Sequence, residues 1–294
     1  MSLVAEYRRS LKAVEVEEPV DLVLYRPLGF LVVKAVYKTP VTPNQITVFA
    51  VFIGLLAGLC YGSGRRSGAV AGALLLAFSI VLDCADGQLA RLKKNGTRFG
   101  RILDGLVDYI VDISVCVGLG IGMAPENNLW RWVLLLLALA ATYVVHSAVL
   151  DYYRARFIDA VQGTTTHLED EDYRSVEEEL AKLRAAGGRP GRKLFLGLYL
   201  RYCEMQKRLT VRKNDASGLA KQDPEAFRRR NRAAMRGWSF LGGSTANTLF
   251  VVATLAGRID LFFWGVIVLG NIWAVGMYAY QASVDRRIAR EAVS

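Results

Sequence analysis

The chain has 294 residues, of which 53% are hydrophobic and only 22% charged, and its mean hydropathy is +0.25. This balance excludes disorder, a collagen-like repeat and a disulfide scaffold, and points to a polytopic membrane protein with a polar segment attached. The formal net charge of +10 is read as the Lys and Arg surplus of cytoplasmic loops, not as a nucleic-acid surface. The four cysteines, Cys60, Cys84, Cys116 and Cys203, share no metal or disulfide spacing.

Residues 1–27 are charged, and the first apolar run is not followed by a small-residue cleavage site, so no signal peptide is expected. Residues 20–38 read as an interfacial helix. The run Leu28–Val36 is too short to cross a bilayer, and Arg26, Lys34 and Lys38 flank or interrupt it. Thr42-Pro43-Asn44 then reads as a helix start, with Thr as cap and Pro in the first turn.

Six apolar segments follow, near Ile46–Tyr61, Ala69–Ala90, Ile102–Met123, Leu129–Val149, Trp238–Ala256 and Leu261–Tyr280. Each is long enough, or nearly so, for a hydrocarbon core of about 30 Å. Backbone groups in lipid must be paired within the segment, so these are helices. The polar stretch 154–236 reads as a helical insert. Gly187-Gly188 ends its first helix, a looser stripe of Leu194, Leu198, Met205 and Leu209 follows, and Asp223-Pro224 opens a helix carrying Arg228, Arg229, Arg230, Arg232 and Arg236. The expected fold is all-α: a six-transmembrane-helix bundle with an N-terminal interfacial helix and a helical cytoplasmic insert. Its segments are 1–42, 43–153 with helices one to four, 154–236 and 237–294. The Lys and Arg asymmetry of the links puts both termini and the insert in the cytoplasm.

Carboxylates inside apolar helices are costly and mark function by default. Asp83 and Asp86 lie near the cytoplasmic end of the second span, and Asp104, Asp108 and Asp112 in the cytoplasmic half of the third. Asp83, Asp86, Gly87, Ala90 and Arg91 share one helical face, and Gly100, Asp104 and Asp108 share another. A short basic link lets the two faces meet. Four close carboxylates repel unless a cation joins them, and an all-oxygen cluster suits Mg²⁺, Mn²⁺ or Ca²⁺. Gly87, Ala90 and Gly100 leave room for a large ligand, and Arg91, Lys93, Lys94 and Arg98 add charge suited to phosphate. These features describe a metal-dependent pyrophosphate site at a membrane surface. Asp112, one turn deeper, reads as a supporting residue, and His146 as a satisfied helix-contact residue. The glycines of the first, third and fifth spans read as helix-packing positions.

The full spacing is Asp83-x2-Asp86-Gly87-x2-Ala90-Arg91-x8-Gly100-x3-Asp104-x3-Asp108. It resembles the signature of the class I CDP-alcohol phosphotransferases, also called CDP-alcohol phosphatidyltransferases, and the likeness extends to Pro43-Asn44-x2-Thr47. The resemblance does not cover the insert. It implies that Asp83, Asp86, Asp104 and Asp108 hold two Mg²⁺ or Mn²⁺ ions and that Asp108 is also the general base. It further implies contacts of Gly87, Arg91 and Thr97 with the CDP part of the donor, with Asn44, Thr47, Ala90 and Gly100 completing that set, and a homodimer.

The implied reaction moves a phosphatidyl group from CDP-diacylglycerol to a small polar alcohol, with CMP leaving. Arg98, Arg101, Arg232 and Arg236 near one mouth suit an anionic acceptor, inositol phosphate or glycerol phosphate. One alternative within the same fold moves phosphocholine or phosphoethanolamine from a CDP-alcohol to diacylglycerol. A cation transporter is an alternative of another class, although its acids tend toward the bilayer midplane.

Overall fold

The computed structural model describes residues 3–94, 98–124, 129–162, 167–186 and 223–291, with isolated positions between 190 and 201. Every regular element among the described residues is helical. α1 (Leu3–Ser10) is followed by α2 (Arg26–Val36), which is entered through a π turn at Asp21–Tyr25. Then come α3 (Pro43–Gly62), α4 (Arg66–Lys93), α5 (Arg98–Gly122), α6 (Leu129–Gln162) and α7 (His167–Ala186). α8 (Pro224–Trp238) leads through a 3₁₀ turn to α9 (Gly243–Ala256). α10 (Ile259–Trp264), a π turn at Gly265–Gly270 and α11 (Asn271–Glu291) complete the chain.

Among the described residues four helices are long and apolar enough to cross a bilayer: Pro43–Gly62, Arg66–Lys93, Leu129–Val161 and Ile259–Ile288. A fifth is added if Pro224–Leu241 and Gly243–Ala256, bent by 44°, count as one span. These fall on the expected first, second, fourth, sixth and fifth segments. The expected third segment lies on α5, of which Tyr109–Gly122 is a shorter apolar helix among the described residues. α6 is 34 residues long and continues beyond Val149, because no Gly or Pro interrupts it before Gly163. Residues 20–38 are helical over most of their length, with Tyr25, Phe30 and Val33 buried and Val23 and Leu31 exposed.

Two compact units divide the chain, Met1–His146 with Trp238–Ala279, and Ser147–Gly237 with Tyr280–Ser294. In the first unit, Thr42 caps α3 as its sequence predicts. Gln45 N donates to Thr42 Oγ1 at 3.4 Å and Thr42 N donates to Gln45 Oε1 at 2.9 Å, a reciprocal capping box. α3 then packs on α4, where Ser79 Oγ donates to the Ala50 carbonyl at 2.8 Å. Between α3 and α5 the contact is backbone on backbone. Gly54, Gly58 and Gly62 recur every fourth residue on α3 and face Val111, Ser114 and Gly118 of α5. Helices approach this closely in lipid only where side chains are absent.

That seam carries a prediction. A Cβ on Gly118 would collide with the Gly58 carbonyl, whereas one on Gly120 would make an ordinary 3.6 Å contact with Leu136. Gly118→Ala should therefore destabilise by about 1–3 kcal/mol through overpacking. Gly120→Ala should be neutral or slightly stabilising, because alanine favours the helix. Thermal unfolding of the two variants in mild detergent reads the difference, and equal midpoints would contradict the seam.

The second unit is held by a polar chain. Arg156 donates to both oxygens of Asp285 at 3.0 and 3.1 Å. Gln281 Nε2 donates to Asp285 at 3.1 Å and to Asn231 Oδ1 at 3.0 Å. Phe157 and Phe227 meet nearby in a tilted ring contact, 6.2 Å between ring centres. α7 is described as far as Ala186, and Gly187-Gly188, expected to end it, lies outside the described residues; Asp223 caps α8 through the Ala226 amide at 3.1 Å, as expected. The stripe Leu194, Leu198, Met205 and Leu209 lies outside the described residues.

Candidate active site

The last two turns of α4 carry the first half of the signature. Asp83 is half-buried and Asp86 only 4% exposed, one turn further on. An acid so buried needs a partner, and Thr47 supplies one, its hydroxyl donating to Asp86 Oδ2. Thr47 is presented by the first turn of α3, and the cap at Thr42 fixes where that turn begins. Lys93 Nζ secures the approach to it, donating to the carbonyls of Thr39 at 3.0 Å and Val41 at 2.9 Å. Asn44, in the same turn, is half-buried.

Arg91 lies across Gly87. A Cβ at position 87 would stand 3.5 Å from both terminal guanidinium nitrogens, so glycine leaves that side of the fork open. Arg91 Nε donates to the Ser10 carbonyl, and among the described residues one terminal nitrogen is buried without a partner. Ala90 is half-buried on the same face. A fixed, incompletely satisfied guanidinium beside a glycine suits a phosphate group.

Arg26, Glu17 and Glu18 make buried contacts near this face that local spacing does not disclose. Arg26, expected at the flank of an interfacial helix, is 7% exposed. It donates to Glu17 Oε2 at 3.0 and 3.2 Å and to the Cys84 carbonyl of α4 at 3.3 Å. Burial disfavours the Arg26 charge, but the negative groups around it, Glu17 and Asp21 among them, prevail and hold its pKa above the ordinary guanidinium value. Glu18 caps α9, accepting from the amide and hydroxyl of Thr245, both at 2.8 Å. The only sequence signal was the density of acids in 15–21 ahead of an apolar helix.

Gly100, Asp104 and Asp108 fall on α5. The side chains of 98–108, and with them those of Asp104, Asp108, Arg98 and Arg101, lie outside the described residues, as does Thr97. Among the described residues no three His, Cys, Asp or Glu gather at one point. Asp83 and Asp86 do offer hard oxygen donors on one helical face, and Thr47 orients one of them. That fits a hard divalent cation and not a soft one. One turn below Asp108, Asp112 accepts from Asn247 Nδ2 at 3.3 Å and bonds Tyr143, tying α5 to α9 and α6. His146 bonds Asn271 at 3.3 Å between α6 and α11. Arg232 is exposed and Arg236 half-buried on α8.

One face of α4 thus sets two carboxylates, a glycine and an arginine together, an arrangement suited to a phosphate group and a hard cation. Residues 40–164 match the family model described as CDP-alcohol phosphatidyltransferase. Archaetidylinositol phosphate synthase of Pyrococcus horikoshii is 34% identical over 131 residues, covering 45% of this chain and 63% of the relative. A bifunctional IPC transferase and DIPP synthase of Aquifex aeolicus is 33% identical over 93 residues, 31% of this chain and 21% of the relative. Phosphatidylinositol phosphate synthase of Corynebacterium glutamicum is 30% identical over 125 residues, 42% of this chain and 55% of the relative. The chain thus spans less than two thirds of the length of these relatives.

Proposed function

We propose that the protein is a CDP-alcohol phosphatidyltransferase that moves a phosphatidyl group from CDP-diacylglycerol to inositol phosphate or glycerol phosphate. The observation that carries this reading is the signature on α4 and α5 within the matched residues, with Arg91 open over Gly87 and Asp86 held by Thr47. The similarity to an archaetidylinositol phosphate synthase and a phosphatidylinositol phosphate synthase favours inositol phosphate among the acceptors. α5 serves as the third of six spans, and residues 20–38 as an interfacial helix. The Lys and Arg asymmetry supports a cytoplasmic site, cytoplasmic termini and a cytoplasmic insert.

In this reading Asp83, Asp86, Asp104 and Asp108 hold two Mg²⁺ or Mn²⁺ ions. When bound, these ions neutralise the donor diphosphate and stabilise the leaving CMP. Arg91, with Gly87, Ala90 and Gly100 leaving space, binds the diphosphate. Thr97, Asn44 and Thr47 flank the CDP part. Asp108 accepts the proton of the acceptor hydroxyl as that oxygen bonds to the phosphorus on the lipid side. The bond from that phosphorus to the bridging oxygen breaks, and CMP departs with the electron pair. The sequence offers no Ser–His or Cys–His pair at the cluster, which favours this single displacement over a covalent intermediate. Arg98, Arg101, Arg232 and Arg236 attract the acceptor phosphate, and the active species is a homodimer.

The test is CMP release from CDP-diacylglycerol against a panel of acceptors. Inositol phosphate or glycerol phosphate should outpace serine and free inositol. A charge-assisted contact is worth about 1.5–3 kcal/mol, so Arg232→Ala and Arg236→Ala should each raise the acceptor KM by roughly one to two decades. Faster release with an uncharged alcohol contradicts the anionic acceptor. Fastest release with CDP-choline and diacylglycerol replaces the donor assignment.

A further inference from the structure

We infer that Ser10 and Gln88 are positioning residues for the donor: they hold the Arg91 fork toward the diphosphate, so the N-terminal segment is part of the donor site. This deepens the function proposed above and rests on it for the identity of the donor.

The segment between α1 and α2 is pinned to α4 at both ends. At its start, the Ser10 carbonyl accepts from Arg91 Nε, and the Ser10 hydroxyl accepts from Gln88 Nε2 at 3.1 Å while donating to the Tyr7 carbonyl at 2.6 Å. At its end, Arg26 reaches the Cys84 carbonyl. Between them, Glu17 joins the two anchors, accepting from the Lys12 amide at 3.1 Å and from Arg26. The three points on α4, residues 84, 88 and 91, lie along one stretch of its surface, one turn apart. Ser10 and Gln88 are both 0% exposed.

The consequence is for Arg91. A guanidinium has five N–H donors in a rigid plane. Binding Nε to Ser10 fixes the plane and leaves the terminal nitrogens over Gly87, one of them buried and without a partner among the described residues. The forked end is the edge that meets a phosphate in bidentate fashion. A side chain free to rotate would lose entropy on binding; one already held loses less. The bond that fixes it comes from a backbone carbonyl, which no substitution at position 10 removes directly. Ser10 is in turn held in place by Gln88, and that contact can be cut.

The experiment compares Ser10→Ala and Gln88→Met with the unsubstituted full chain, in CMP release at varied donor and acceptor and in calorimetric binding of CDP. Both variants should weaken donor KM and CDP affinity by about tenfold, the scale of one lost hydrogen bond that supports a charged group. The acceptor KM should stay unchanged. Repeated in an Arg91→Lys background, which lacks the planar fork, the same substitutions should have no further effect on CDP affinity. A merely structural role would add in both backgrounds and lower kcat without a selective rise in donor KM. An unmoved CDP affinity in both variants, or full additivity with Arg91→Lys, overturns the inference and leaves the enzymatic reading intact. If CDP-diacylglycerol gives no CMP yet CDP affinity shifts as stated, the donor assignment fails and the positioning role stands.

Discussion

Asp108→Asn is expected to lower turnover by about 10²–10⁴ while CDP-diacylglycerol still binds. The substitution keeps the shape of the side chain and removes its ability to take a proton. A sugar or glycerol hydroxyl is a weak nucleophile at neutral pH, so its attack on phosphorus needs a base at hand. Asp108 stands one turn from Asp104 on α5 and one turn from Asp112, whose bonds to Asn247 and Tyr143 anchor the helix below it. The check is single-turnover CMP release beside donor binding and cation binding on the same sample. A variant within about twofold of the unsubstituted rate, with cation still bound, removes Asp108 from the role of base.

Asp86→Asn is expected to lose cation and activity together. Asp86 is buried and its charge has Thr47 as a hydrogen-bond donor. An amide in its place presents one weaker oxygen and no charge, which a hard divalent ion binds poorly. Thr47→Val makes a finer test of the same geometry. It preserves side-chain volume and deletes the donor, so the carboxylate stays but is no longer oriented. Loss of such a supporting contact typically costs about 10–100-fold in metal affinity or activity. The Mg²⁺ concentration for half-maximal activity should rise on that scale in Thr47→Val, with activity recovered at high Mg²⁺, whereas Asp86→Asn should not recover. Full activity of the unsubstituted protein in excess EDTA would contradict the metal assignment altogether.

The parts of the site that a sequence discloses are those written in local spacing. Asp83, Asp86, Gly87, Ala90 and Arg91 share a face because a helix repeats every 3.6 residues, and acids in an apolar run announce themselves by their cost. Thr42, Pro43 and Gln45 announce the start of α3 in the same way, through a four-residue cap. The glycine ladder of α3 was legible as packing, although its partner helix was not. Contacts that join distant parts of the chain left no such mark. Thr47 and Asp86 are 39 residues apart, Ser10 and Arg91 are 81 apart, and Glu18 and Thr245 are 227 apart. Arg26 has, beside a short apolar run, the pattern of a membrane-surface helix, and only the fold supplies the buried Glu17 that it meets. α6 runs past the expected span end at Val149 and is described as far as Gln162, because the charges that end the apolar run do not end the helix.

The most direct measurement is the joint appearance of CMP and a phosphatidylated acceptor when the purified full chain is given CDP-diacylglycerol, inositol phosphate and Mg²⁺ in mixed micelles. The account predicts the two products in equal amounts, both absent without acceptor and both absent in EDTA. CMP formed without any new lipid, or a new lipid formed with no need for a divalent cation, would contradict it.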